Sequence, residues 1–398
     1  MHVLFVHKNY PAQFGHVAQY LAGQHGLRCT FISEKPAGRD GAIERLQYQP
    51  IGGATQANSF LSRSFENAIS HTHGVYAALQ ARPDIQPDLV VGHSGFGSTL
   101  FLRELYDCPI INYFEYFYRR AGTDLDFRPD FPPSEMTRLR VLARNAMLLL
   151  DLENCQAGYS PTQWQHHQLP VEFHDKVRVI FDGIDTNLWR PQPAPSRRLG
   201  NWQIPDGVRV VTYVSRGLES MRGFDLFMQL AGRLCECRSD LIFVIVGEDR
   251  ICYGGDADHI GGNSFKQWVL SRGDYDLSRF FFLGLIPPAS LAHLFNLSDL
   301  HVYLTVPFVL SWSLLNALAC GTTVLASDTP PVREVIEHGR NGLLTDFFDL
   351  DAMTETALTV LDRPQEFRRL GRAGSEMVAQ RYSLEVCLPR MLALYQSV

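Results

Sequence analysis

The sequence predicts an α/β protein built from two Rossmann-like, doubly wound parallel-sheet domains facing across a cleft. Three observations carry this. Short, continuous apolar runs such as Val3–Val6 suit strands buried on both faces, as in parallel sheets. Strand, loop and helix patterns alternate along the chain, which implies βαβ units. The chain has 398 residues, 45% of them hydrophobic, too long for one ordinary core and ample for two.

In chain order, Val3–Val6 forms the first strand. A Gly-containing turn over 11–15 follows, then a helical pattern through Val17, Tyr20 and Leu21. Further strands are expected at Cys29–Ser33, Leu89–Gly92 and Pro109–Tyr113, with a helix over Phe101–Leu105. From Asn187 to Gly207 the composition changes: Pro191, Pro193, Pro195, Arg197, Arg198 and Pro205 read as a linker. Alternation then restarts with strands at Val208–Val214, Leu241–Val246, Phe280–Leu283, Leu300–Leu304 and Thr323–Ser327. The expected boundaries are 1–186 for the first domain, 187–207 for the linker and 208–380 for the second domain. A C-terminal helix within 381–398 is expected to cross back to the first domain. Ligands in such sheets bind at the carboxyl ends of the strands.

Composition narrows the partners. With 36 Lys and Arg against 42 Asp and Glu there is no global basic field, so nucleic acid is not an expected partner. Of the eight cysteines only Cys235 and Cys237 are close, without a second pair or a His cluster, so no metal site is expected and free thiols in a reducing cytoplasm are. The start MHVLFVHKNY lacks a basic leader and a small-residue cleavage site, so a signal peptide is not expected. No apolar stretch approaches the roughly 18 residues of a spanning helix, which leaves peripheral contact with the inner face of a membrane as the compatible membrane role. His71 with His73, and His166 with His167, lack acidic or Cys partners at ligand spacing and read as surface positions.

The chemistry concentrates in a few stretches. VSRGLESMRGFD places Arg216 and Arg222 on a Gly-containing loop before a helix, a suitable seat for a diphosphate and equally compatible with a surface salt-bridge network. In VPFVLSWSLLNALACG, Ser311 or Ser313 can cap a helix that continues through Leu314–Ala319. In VVGHSGFGST, His93 stands at a strand end, where an imidazole can face a ligand or simply support the loop. INYFEYFYRR is dense in aromatics; at least half of these rings suit core packing, while Glu115 and Tyr116 are candidates for ligand contacts. Arg119 and Arg120 suit an anionic ligand or, more simply, a solvated pair.

Taken together these stretches resemble glycosyltransferase family 4, retaining enzymes of GT-B fold. VIFDGIDTNLWRP resembles the family's interdomain N-G-I-D stretch, with Asp182 where Asn is usual. VSRGLESMRGFD resembles its G-R-L-x-x-x-K-G loop, with Arg216 matching the Arg and Arg222 standing for the Lys. FFLGLIPPASLAHLFNLSDLHVYLT resembles the F-x-G stretch leading to the base pocket. The resemblance implies a metal- and cofactor-independent transfer from a UDP- or GDP-type sugar nucleotide to a sugar, lipid-linked or small-molecule hydroxyl. It implies catalytic roles for His93, Arg216 and Arg222. Donor contacts are implied at Gly15, Ser215, Gly217, Glu248, Leu283, Ser311, Leu314 and Asn316, and acceptor-side contacts at His16, Glu115 and Tyr116. The two Arg charges would neutralise the leaving diphosphate. The family's Glu-x7-Glu pair is replaced by Phe308 and Asn316. That keeps one acceptor toward a ribose but no carboxylate. It also motivates a second expectation, a non-catalytic or lapsed sugar-nucleotide-binding protein. An epimerase on the same fold fits the loop and hinge stretches less well.

Overall fold

A computed structural model describes residues 1–193, 195–200 and 202–398. The linker positions 194 and 201 lie outside the described residues. The chain forms two compact units: 1–120, 134–183 and 384–398 make the first, and 121–133 with 184–383 make the second.

The first unit is one sheet flanked by helices. Its strands are β1 (His2–Val6), β2 (Arg28–Ser33), β3 (Gly38–Asp40), β4 (Ile43–Gln47), β5 (Leu89–Ser94), β6 (Ile110–Phe114), β7 (Ala157–Ser160) and β8 (Val177–Val179). The order is β3-β4-β2-β1-β5-β6-β7-β8, parallel throughout except for the β3–β4 pair. Every residue of β1, β5 and β6 is buried, the two-faced burial that their largely apolar sequences imply. Strand order reverses between β1 and β5, so their carboxyl ends open a crevice at the switch point. One core layer joins Val3, Phe5, Phe31 and Val91 to the helix Gly15–Gln24 and to Leu388, Met391, Leu394 and Tyr395 of the C-terminal helix Leu384–Tyr395.

The second unit holds an antiparallel ribbon, β9 (Arg198–Leu199) with β10 (Trp202–Gln203), and a parallel sheet. The sheet comprises β11 (Arg209–Gly217), β12 (Leu241–Glu248), β13 (Phe280–Phe282), β14 (Leu300–Tyr303), β15 (Val324–Ser327) and β16 (Leu343–Thr345), in the order β13-β12-β11-β14-β15-β16. Its switch point lies between β11 and β14.

Three expectations about the chain need correction. The stretch 187–207 is not a free linker: Trp202 stacks on Phe281 at 4.8 Å, and Asn296 bonds both Arg190 and Gln192 backbone groups, so it packs as part of the second unit. Segment 121–133 leaves the first domain's expected range and joins the second unit, because Phe127 packs on Phe347 and Phe348 while Arg128 is paired with Asp225. The helix expected over Phe101–Leu105 is only a short turn at Leu102–Glu104.

Candidate functional site

The second unit's switch point is built around the loop leaving β11. Ser215 hydroxyl donates to the Gly217 carbonyl at 2.7 Å, and a side chain on Gly217 would strike the Arg250 carbonyl at 2.5 Å. The loop then turns through Ser220–Arg222. Ser220 is held from three sides: Asp256 accepts from its amide at 2.7 Å and its hydroxyl at 2.5 Å, while Arg128 donates to its carbonyl at 3.1 Å. Gly223 then takes a left-handed φ of 62°, and a Cβ there would meet Leu304 at 2.7 Å. Helix Phe224–Cys237 starts from it.

Arg222 emerges from this clamp as a buried cation. Its two terminal nitrogens donate to Thr305 Oγ1 at 2.7 Å and to the Val309 carbonyl at 3.0 Å, and the rings of Phe308 and Tyr253 lie 5.6 and 5.7 Å from its guanidinium carbon. Arg216, by contrast, is exposed at the end of β11 and donates to Tyr253 Oη at 3.4 Å. The two arginines thus meet at Tyr253, a residue that carried no signal in the sequence. Phe308, at the position of the family's first Glu, packs against Tyr253 at 5.2 Å and covers Arg222 instead of pairing with it.

Beside this loop begins helix Trp312–Ala319, capped by Ser311, whose hydroxyl accepts from Ser313 N. Ser311 N donates to Tyr303 Oη at 2.9 Å, and Ser313 Oγ donates to the Val214 carbonyl at the end of β11. Asn316, three residues beyond Ser313 on the same helix face, is buried, and its Oδ1 has no hydrogen-bond partner among the described residues. An unmet buried acceptor is costly, and a ligand hydroxyl would relieve it. Leu314 does not fit its expected donor role. Its side chain is fully buried and its amide is spent on the Ser311 carbonyl at 3.2 Å. Glu248, at the end of β12, is held by Arg250 at 2.6–2.7 Å, and Leu283 N bonds the Ile245 carbonyl at 2.9 Å.

Glu219, within the same loop and absent from the sequence-based set, is fully buried. Its Oε2 accepts from Cys252 and Tyr253 amides, and burial pushes its carboxyl up to about 7. It ties the 250–253 stretch, and with it Tyr253, to the arginine loop.

The first unit's switch point is of another kind. His93, at the end of β5, is 1% exposed and ringed by His7 (5.0 Å), Phe96 (5.1 Å) and Tyr113 (4.8 Å). Burial holds it well below the usual imidazole range, and its Nδ1 bonds the Ser94 carbonyl at 3.0 Å. Glu115 Oε2 stands 3.7 Å from His93 Nε2, and Gln13 donates to Glu115 Oε1 at 3.2 Å. Behind the loop, Asp151 accepts from Ser94 and Ser98 hydroxyls at 2.7 and 2.8 Å. Burial raises its carboxyl to about 6.

His93 and Glu115 are therefore brought together, with Gln13. The other expected members of this group are not. Gly15 lacks a side chain because Pro11 would meet it at 2.7 Å, His16 lies exposed on the first turn of helix Gly15–Gln24, and Tyr116 is buried edge-on against Tyr118 at 5.1 Å. His7 was missed because a lone His ending a strand gives no signal without its spatial neighbours.

Known proteins share the family features and the fold of this chain. A family model described as "Glycosyl transferase family 4 group" matches residues 25–189, and one described as "Glycosyl transferases group 1" matches 199–377. A D-inositol 3-phosphate glycosyltransferase of Thermobispora bispora is 27% identical over 230 residues, 56% of this chain and 50% of that protein; the matched region spans about half of such relatives. Sucrose-phosphate synthase of Thermosynechococcus elongatus superimposes with a TM-score of 0.75 at 17% identity, covering 100% of this chain and 98% of that one. Anabaena HepE, solved in complex with UDP-glucose, gives 0.70 at 16% identity with 100% coverage of both. The chain belongs to the family 4, group 1 glycosyltransferases and has their GT-B fold.

Proposed function

We propose that the protein is a retaining glycosyltransferase that moves a hexosyl group from a nucleoside-diphosphate sugar to a hydroxyl acceptor, a saccharide, a lipid-linked saccharide or a small molecule. The observation that carries this reading is the buried, pre-positioned Arg222 at one switch point, together with the unmet acceptor of Asn316 on the helix that begins there. Asn316 Oδ1 would accept from a ribose hydroxyl, and the Ser311-capped helix start would face the phosphates. Arg222 and Arg216 would hold the charge that develops on the leaving diphosphate, a role a divalent cation fills elsewhere, so no metal or other cofactor is called for.

In this mechanism the bond from the anomeric carbon to the diphosphate oxygen breaks while the acceptor oxygen bonds the same face. The acceptor's proton passes to the departing phosphate oxygen. No paired carboxylates are then required. In the first unit, His93 would bond a sugar hydroxyl as a neutral imidazole. Relatives of the fold solved with UDP and UDP-glucose support a uridine donor. Eight cysteine thiols support a reducing, cytoplasmic setting, in which polysaccharide assembly is the fitting role. Among the described residues no helix is long and apolar enough to cross a membrane; peripheral contact at its inner face belongs to the same proposal.

The test is a panel of UDP-, GDP-, ADP- and dTDP-sugars, read for transfer and for slow donor hydrolysis with the anomer of the product determined. An inverted product sinks the retaining mechanism, and silence toward every donor sinks the enzyme. One observation favours a second reading, binding without turnover: Phe308 covers Arg222 with an aromatic ring where a carboxylate would meet the sugar. Nucleotide-induced thermal stabilisation with no turnover is its expected signature.

A further inference from the structure

Glu219 precedes the turn Ser220–Arg222 and holds structure on both of its sides. Its backbone carbonyl accepts from the Arg222 amide at 3.3 Å and the Phe224 amide at 3.2 Å, which fixes the base of the arginine turn. Its side chain reaches the other way. Oε2 accepts from the Cys252 amide at 2.5 Å and the Tyr253 amide at 2.9 Å. Both bonds fall on one oxygen. Oε1 is buried and has no hydrogen-bond partner among the described residues. A proton on Oε1 therefore removes a buried charge and leaves both bonds to Oε2 in place.

The surrounding charges favour that proton. The groups facing the Glu219 carboxyl are Arg222 on its own loop, Tyr213 from β11, and Cys252, Tyr253 and Asp256 from the stretch after β12. Beyond Cys252 lie Arg216 and the paired Glu248 and Arg250. Three buried carboxyls, Glu219, Asp225 and Asp256, stand against two buried guanidiniums, Arg128 and Arg222. Asp225 is bidentate with Arg128, and Asp256 has one oxygen on the Ser220 amide and the other on its hydroxyl. Of the three, Glu219 is the one with an oxygen left unbonded among the described residues, so the excess negative charge is relieved there. Burial accordingly holds its carboxyl up at about 7.

A diphosphate held by Arg222 would bring further negative charge beside this carboxyl. Like charge favours the protonated form, so ligand and proton each tighten the binding of the other, by the same factor. An ionised Glu219 would oppose the anion. The protonated acid keeps its hold on the Tyr253 backbone without opposing it.

We propose that Glu219 is a positioning residue of the donor site that takes one proton from solvent, onto Oε1, as a nucleoside-diphosphate group arrives at Arg222. The identity of the ligand rests on the transferase reading. Isothermal titration calorimetry of the full chain with UDP-, GDP-, ADP- and dTDP-glucose, in buffers of different ionisation enthalpy, counts the protons. Neither phosphate of these ligands titrates near neutrality, so a proton taken up belongs to the protein. At about pH 7.5 the uptake should be about half a proton, and at about pH 5, where the carboxyl is already protonated, about none. Affinity should rise about tenfold as pH falls from about 8.5 to about 6. Glu219→Gln keeps an oxygen for both amides and cannot titrate, so it should bind without uptake and with an affinity indifferent to pH. Glu219→Ala loses the anchor and should bind about tenfold more weakly throughout. Asp256→Asn should keep the uptake. Binding without uptake in the wild type, uptake undiminished at about pH 5, or uptake that survives Glu219→Gln overturns the proposal and leaves the transferase reading standing. The wild-type pH series decides even where a variant does not fold. Absence of binding by all four ligands overturns both readings, and uptake without turnover keeps the proton-linked site and removes the transferase.

Discussion

The two switch points share a topology and differ in electrostatics. At the end of β11 the second unit buries charge: Arg222, Arg128, Glu219, Asp225 and Asp256 are all nearly inaccessible. At the ends of β1 and β5 the first unit buries two neutral imidazoles among aromatic rings, with no buried cation beside them among the described residues and with the Glu115 and Asp151 carboxylates held by Gln13 and by serine hydroxyls. Buried charges persist only when paired, so the second crevice needs a scaffold of counter-ions and suits an anionic ligand. Neutral imidazoles need only hydrogen-bond partners, so the first suits hydroxyls. A parallel sheet supplies the location of a crevice; the residues at the strand ends decide which chemistry it admits.

The contrast breaks first at Arg128. It is 4% exposed, bidentate to Asp225 at 2.7 and 3.1 Å, bound also to Asp130, and flanked by the rings of Phe131 and Phe347. Arg128→Met would strand Asp225 without its partner and is expected to lower unfolding free energy by about 3–5 kcal/mol, measurable by urea titration. Replacing Arg128 and Asp225 together by Met and Leu should recover much of that loss. Next comes Arg222→Met, which removes the cation and keeps much of the bulk. Donor turnover should fall by about 10²–10³-fold, and nucleoside-diphosphate stabilisation in thermal-shift assays should vanish.

Acidity sharpens the comparison from the other side. Asp151 is raised from 3.8 to about 6, so the folded state holds its proton more tightly than the unfolded chain does. Its contribution to stability is therefore complete below pH 3.8 and lost as pH rises through about 6, an effect on the order of 2–3 kcal/mol. Asp151→Asn should flatten that part of the stability–pH curve in calorimetry. The smallest effect is expected from Asn316→Glu: a carboxylate facing a ribose should tighten nucleotide binding by about 1–2 kcal/mol, seen as roughly a tenfold lower Kd. Unchanged affinity would show that the unmet Asn316 acceptor does not face the ribose.

Sequence patterns exposed the strands whose two faces are buried, because β1, β5, β11 and β12 each carry a largely apolar run. They did not expose β4, where Ile43 and Leu46 are spaced by charged residues, or the short β7, β8 and β16. The arginine loop was legible through its glycines and charges, and His93 through its strand-end position. What stayed hidden depends on approach in space. Tyr253 joins Arg216 to Arg222 from a distant loop, His7 gains meaning only opposite His93, and Arg128 reaches Ser220 across 92 residues of sequence. The linker was misread because proline content reports backbone restriction and is blind to Trp202 lying flat on Phe281.

The helix Leu384–Tyr395 ties the folding of the two units together through chain connectivity. Its Met391, Leu394 and Tyr395 sit within the same apolar layer as Val3 and Phe5 of β1. Strand and helix are joined only through the intervening chain, which includes the stretch 184–383 of the second unit, so closing this layer carries a large loop-closure entropy. The first unit is expected to complete its packing late in folding, and until then the Phe5 and Phe31 layer stays open to any chaperone that binds apolar surface.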